Sequence, residues 1–106
     1  MKMKYTDKRA IEAEQKVGKA YEEAAKARNL YEKSKQEFAE TLREIFEEKV
    51  AKRGEKITSK RGETYYYEGI RYSGYSAEVM CYPQKKDGTP SKSLRYVFLD
   101  NFVETL

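Results

Sequence analysis

DKRAIEAEQKVGKAYEEAAKARNLYEKSKQEFAETLREIFEEKVAKR, residues 7–53, is the stretch whose reading decides the architecture. It holds no proline and a single glycine, Gly18. It is rich in Ala, Glu, Lys, Leu and Gln, which lose little side-chain freedom in a helix. At a seven-residue interval one position reads Ala10, Val17, Ala24, Tyr31, Phe38, Ile45. Three residues after each come Ala13, Ala20, Ala27, Ser34, Thr41 and Glu48. This spacing predicts an a/d seam over about five heptads, small in its first half and large in its second. Unbroken, these 47 residues make a coiled-coil-like rod of roughly 70 Å at about 1.5 Å per residue.

A compact chain of this length has a radius of gyration of only about 13 Å, so such a rod projects and its seam calls for a second chain. Val17, Ala24, Tyr31, Phe38 and Ile45 are the expected oligomer interface of a homodimer or higher assembly. Leu30, Leu42 and Phe46 widen the stripe beyond a two-stranded seam, so part of it is expected to pack on the rest of the chain. The alternative is a helix broken near Asn29 and folded into a hairpin, or packed wholly on its own sheet. Thr6 is the expected N-cap, and Gly54, after the basic Lys49, Lys52 and Arg53, the expected C-terminal cap.

Beyond Gly54 the period changes from helical to alternating, with tyrosine and β-branched residues between turn signals. Strands are expected at Glu55–Ser59, Glu63–Tyr72, Ser76–Tyr82 and Ser91–Leu99, with a short last one at Val103–Leu106. Lys60-Arg61-Gly62, Ser73-Gly74 and the Lys85–Pro90 loop provide the turns. Gly69, inside the longest strand, marks a bulge or a barrel corner. The fold class is therefore α+β: a long N-terminal helix over residues 1–54 for oligomerisation, then a small antiparallel β domain over residues 55–106. The break at Asp100-Asn101-Phe102 before a very short strand is the pattern of an SH3-like barrel; the alternative for about fifty residues of sheet is to lie open across the helix.

The chemistry is read mostly by elimination. The 106 residues contain no histidine and one cysteine, Cys81, which removes the commonest general base and metal ligand and rules out a structural zinc site. Cys81 lies in the run Val79–Tyr82 and reads as a small core filler. The paired carboxylates Glu22-Glu23 and Glu47-Glu48 sit on a highly charged helix, where solvation accounts for them. No cofactor and no metal are expected, and the chain reads as a non-enzyme. A lone cysteine and the lack of a long apolar run place it in the cytoplasm, away from membranes.

Charge narrows the partners only in part. The net charge is +4, with 14 Lys/Arg against 11 Asp/Glu up to residue 53 and 8 against 7 beyond it. The two signs are interspersed, whereas a strong nucleic-acid binder concentrates basic charge on one face. Ten tyrosines stand out, seven of them after Gly54. Alternation puts Tyr65 and Tyr67 together on one face, taken as the side away from the helix, with Tyr66 and Tyr72 nearer the other unless Gly69 shifts the phase. Tyr65, Tyr67, Arg71, Tyr75, Lys85, Lys86 and Arg95 are the expected partner-binding set, because exposed tyrosines beside cations add contact area at low entropic cost.

A chain that is small, lacks catalytic residues and joins a long helix to a small sheet is similar in kind to many phage accessory and anti-defence proteins. That likeness rests on no motif. It implies a protein or ribonucleoprotein partner, such as a host nuclease complex held in an inhibited state. The competing expectation is a small β-barrel that binds nucleic acid directly, stacking bases on the same tyrosines. An aromatic cage around a methylated cation is a further use of so many rings.

Overall fold

The computed structural model describes residues 3–22 and 28–106. Two helices, α1 (Lys8–Glu22) and α2 (Arg28–Lys49), precede four strands. These are β1 (Lys56–Thr58), β2 (Thr64–Tyr72), β3 (Ala77–Pro83) and β4 (Arg95–Phe98), followed by a 3-10 turn at Leu99–Asn101. All neighbours pair antiparallel in the order β1-β2-β3-β4. The class is α+β, as the change of period indicates. Among the described residues no helix is long and apolar enough to cross a membrane.

The helical stretch does not form one rod. α1 and α2 lie antiparallel: Arg9 at the start of α1 donates to Glu48 at the end of α2 (3.0 and 2.8 Å). At the other end, Tyr21 meets Tyr31 edge-on with ring centroids 5.5 Å apart. The longest dimension is 51 Å, well short of the expected rod. A hairpin forms instead, with Asn29 inside α2; Ala24, expected in the seam, lies outside the described residues.

The reason is visible in what the seam covers. Ala10, Val17, Phe38 and Ile45 enter one core with Leu42, Phe46, Ile57, Tyr67, Ile70, Val79 and Leu99. The chain's own sheet takes the place assigned to a second copy, and an intrachain partner spares the translational and rotational freedom that association costs. Val17, Phe38 and Ile45 are thus buried at home rather than presented to another molecule. Tyr31 is half-buried beside α1. Alanine at positions 10 and 20, both buried, allows α1 to lie close.

The sheet is open. β1 and β4 are its two edges, so the SH3-like closure does not form. The last expected strand shrinks to one bridge between Thr105 and Lys4, while the Leu106 carbonyl accepts the Thr6 and Asp7 amides at 2.9 and 3.1 Å. β4 begins at Arg95 rather than Ser91. Upstream of it, Pro90 has no amide to add to a ladder, and the Ser91 hydroxyl takes the Ser93 amide at 3.1 Å. The caps shift as well. Asp7 rather than Thr6 accepts the free Arg9 amide (2.9 Å). α2 ends at Lys49, before Gly54, whose positive φ of 89° serves the turn into β1.

Candidate functional site

The placement of every candidate side chain follows from the phase of β2. Its register against β3 slips between Tyr67 and Gly69, so Glu68 is an extra residue and Ile70 and Tyr72 share a face with Tyr65 and Tyr67. That face is the helix-covered one. Tyr67 is fully buried, its ring 4.8 Å from that of Phe46 and its hydroxyl donating to Glu47 at 3.0 Å. Burial first, and then the Glu47 carboxylate, hold that hydroxyl well above the ordinary phenol range. Tyr72 packs on Phe38 at 4.7 Å, and Tyr65 on Phe102 at 5.8 Å. The expectation that Tyr65 and Tyr67 face a partner is therefore inverted. Three consecutive tyrosines carry no alternation, and only the bulge and the helix above decide between them.

The opposite face carries Tyr66, Tyr82, Met80, Tyr96 and Phe98, which the registers bring to one side. Among the described residues no helix lies over it, because α1 and α2 pack on the Tyr67 side. Tyr96 and Phe98 remain 46% and 53% exposed. The Arg71 guanidinium carbon lies over the Tyr96 ring, 3.7 Å from its centroid, and Arg71 also donates to Glu78 at 2.8 Å. Lys56 stands over Tyr66 at 5.8 Å. The Tyr66 hydroxyl donates to the Gly88 carbonyl, which ties the Lys85–Pro90 loop to this face. Arg53 pairs with Glu68 at its margin.

The expected site residues thus divide among several places. Arg71 belongs to the open face. Lys85 and Lys86 are exposed on the loop that Tyr66 anchors. Tyr65 and Arg95 line a separate shallow hollow of about 600 Å³ with Tyr96. Tyr75 is 97% exposed at the β2–β3 turn, and Tyr67 is core. Tyr66, Met80, Tyr82, Tyr96 and Phe98 were not among the expected binding residues. The alternation Arg95-Tyr96-Val97-Phe98 groups the last two, but which side faces solvent depends on the pairing of Val97 with Val79.

Two observations bear on catalysis. Cys81 is buried, and burial pushes its thiol up to about 11, so it stays protonated at neutral pH and makes a poor nucleophile. Among the described residues no group of His, Cys, Asp and Glu is arranged to hold a metal ion. Comparison with protein-family models, with curated proteins and with solved structures finds no match to this chain.

Proposed function

We propose that this chain is a non-catalytic interaction module that holds a protein partner on the open face of its sheet. The observation that carries this reading is the half-exposed aromatic patch of Tyr96 and Phe98, with Arg71 stacked in place over Tyr96. An aromatic–guanidinium pair fixed before binding loses little rotamer freedom when a partner arrives, and such residues dominate binding energy at protein interfaces. A protein is favoured over nucleic acid because Arg71 and Arg53 are already neutralised by Glu78 and Glu68. Phosphate binding would have to break those pairs. An assembly such as a host nuclease complex, inhibited by occupation of a protein surface, is one partner of the required kind.

Capture from cell extract before and after nuclease treatment tests the proposal, with the Tyr96→Ser/Phe98→Ser double variant alongside. A protein partner retained after nuclease and lost with the double variant is the expected result. Nucleic acid is the second reading, favoured by Lys56 over Tyr66 and by the adjacent Lys85–Lys86 loop. It requires single-strand affinity that falls with salt at a log–log slope of about −0.7 per phosphate contacted. Tight binding with such a slope, dependent on Tyr96, would displace the protein reading.

A further inference from the structure

A second surface, which adjoins the open sheet face at Phe98, lies where the Tyr21 and Tyr31 ends of the two helices meet the β2–β3 turn. It is a cleft of about 800 Å³, within the range of small-molecule sites. Five tyrosines line it: Tyr5, Tyr21, Tyr31, Tyr72 and Tyr75. The charged side chains among its described lining are Glu14 and Asp100, with no Lys or Arg. In a chain of net charge +4, this is a local reversal of sign.

Four of the five rings are held by the fold, Tyr75 being almost fully exposed. Tyr5 and Tyr72 both pack edge-on against the buried Phe38, at 5.4 and 4.7 Å, and Tyr21 packs against Tyr31. The Tyr31 hydroxyl comes so close to Gly74 that a Cβ there would sit 2.9 Å from it, and Gly74 has a φ of +99°. A side chain at that position would be strained and in collision. Burial, and then the nearby Glu14 carboxylate, raise Tyr5 and Tyr72 above the ordinary phenol range. Both stay neutral at physiological pH and keep their π-faces rather than a phenolate.

From these observations we infer that the cleft binds an organic cation of the quaternary-ammonium class, caged by tyrosine faces and balanced by Glu14 and Asp100. Ring faces carry negative quadrupole density and attract weakly hydrated cations. The chain itself supplies a demonstration, since the Lys35 ammonium lies 4.7 Å from the Tyr31 ring centroid. That ammonium is held by Glu32 at 3.2 Å, and the Lys35 stem runs beside Gly74. Lys35 is therefore a rim cation that competes with an incoming one.

The test is an NMR titration of the full chain with choline, followed at the Gly18 and Gly74 amides and the tyrosine ring protons. The control is 3,3-dimethylbutan-1-ol, which replaces the choline nitrogen by carbon and removes its charge. Choline is expected to give saturable shifts, with the neutral isostere at least about tenfold weaker. Glu14→Gln, an exposed change that spares the core, is expected to weaken choline severalfold, and Lys35→Gln to strengthen it. Equal binding of choline and its isostere would make the cleft a plain apolar one and overturn the inference. So would a lack of saturable shifts, or a Glu14→Gln variant that binds choline as well as the parent.

Discussion

The two faces of the sheet are built from the same residue types and behave as opposites. On the covered face Tyr67 is enclosed by Phe46 and its hydroxyl is committed to Glu47. On the open face Tyr96 is nearly half exposed, and its main neighbour is the Arg71 guanidinium. Tyrosine suits both settings because an apolar ring and a polar tip can be buried together or left at a boundary. What differs is the covering. The helix hairpin is just wide enough for one face, and an open four-stranded sheet has two. The lesson is that counting tyrosines identifies neither a core nor a binding site; the side on which the helices land makes that assignment.

The largest effect expected from this contrast is at Phe38. It lies fully buried between Tyr5 and Tyr72, so Phe38→Asp places an unpaired charge where no partner waits. An uncompensated buried charge costs about 3–5 kcal/mol or more, against a total stability of about 5–15 kcal/mol for a domain. Circular dichroism is expected to show loss of folded structure at 25 °C. Were Phe38 part of an exposed seam, the same variant would stay helical and merely change its sedimentation coefficient.

Tyr67 comes next. Truncation to Ala removes a buried ring, at a cost of about 3–5 kcal/mol. Tyr67→Phe keeps the ring and loses only the bond to Glu47, costing about 1 kcal/mol. Chemical denaturation resolves the two. If Tyr67→Ala melted like the parent, β2 would be in the opposite phase and the open face would be the one assigned here as covered.

Tyr96→Ser and Phe98→Ser sharpen the comparison from the other side. Surface changes of this kind move stability by about 0.5 kcal/mol or less, so near-parental melting is expected from both. Partner capture should nonetheless fall sharply. A double variant that unfolds would mean these rings are sheet cement rather than contact area.

Much of this architecture was legible in residues 7–53, and the reason it was misassembled is instructive. The a/d spacing correctly marks Ala10, Val17, Phe38 and Ile45 as one apolar stripe, and all four are buried. Spacing cannot distinguish a stripe that meets a second chain from one that folds back on a sheet, because both need the same face. The width contributed by Leu42 and Phe46 was the clue, since a two-stranded seam has no use for it. The bulge at Gly69 was legible because glycine inside a strand signals one. Its consequence for Tyr65-Tyr66-Tyr67 was not, since the phase had to be carried back from Ile70. Nothing local to Tyr5, Glu14 or Tyr72 announced the cleft, which gathers the segment before α1, α1, α2, the β2–β3 turn with its flanking strands, and the end of β4 with the 3-10 turn.

The smallest effect expected lies at the open end of the helix hairpin, where the start of α1 meets the end of α2: Asp7 contacts Arg9 (3.1 Å) and Lys49 (3.2 Å) while Arg9 grips Glu48. The Arg9 side-chain and backbone hydrogen bonds hold the Asp7 carboxyl well below the usual carboxylate range, and the Arg9 guanidinium likewise lowers Glu48. A carboxylate depressed in the folded state binds fewer protons there than in the unfolded chain. Its stabilisation is therefore complete above the unfolded pKa of about 3.9 and fades as pH falls toward the folded value. Asp7→Asn keeps a side chain able to cap α1 and removes only the charge. The variant should melt slightly below the parent at pH 7. The gap should begin to close below about pH 4 and should shrink with added salt, since exposed pairs are strongly screened. Thermal melts of the two proteins between pH 7 and pH 3, at low and high ionic strength, decide the matter. A gap that stayed constant with pH would mean that the difference does not come from the Asp7 charge, and that the charge cluster contributes nothing to holding the two helices together.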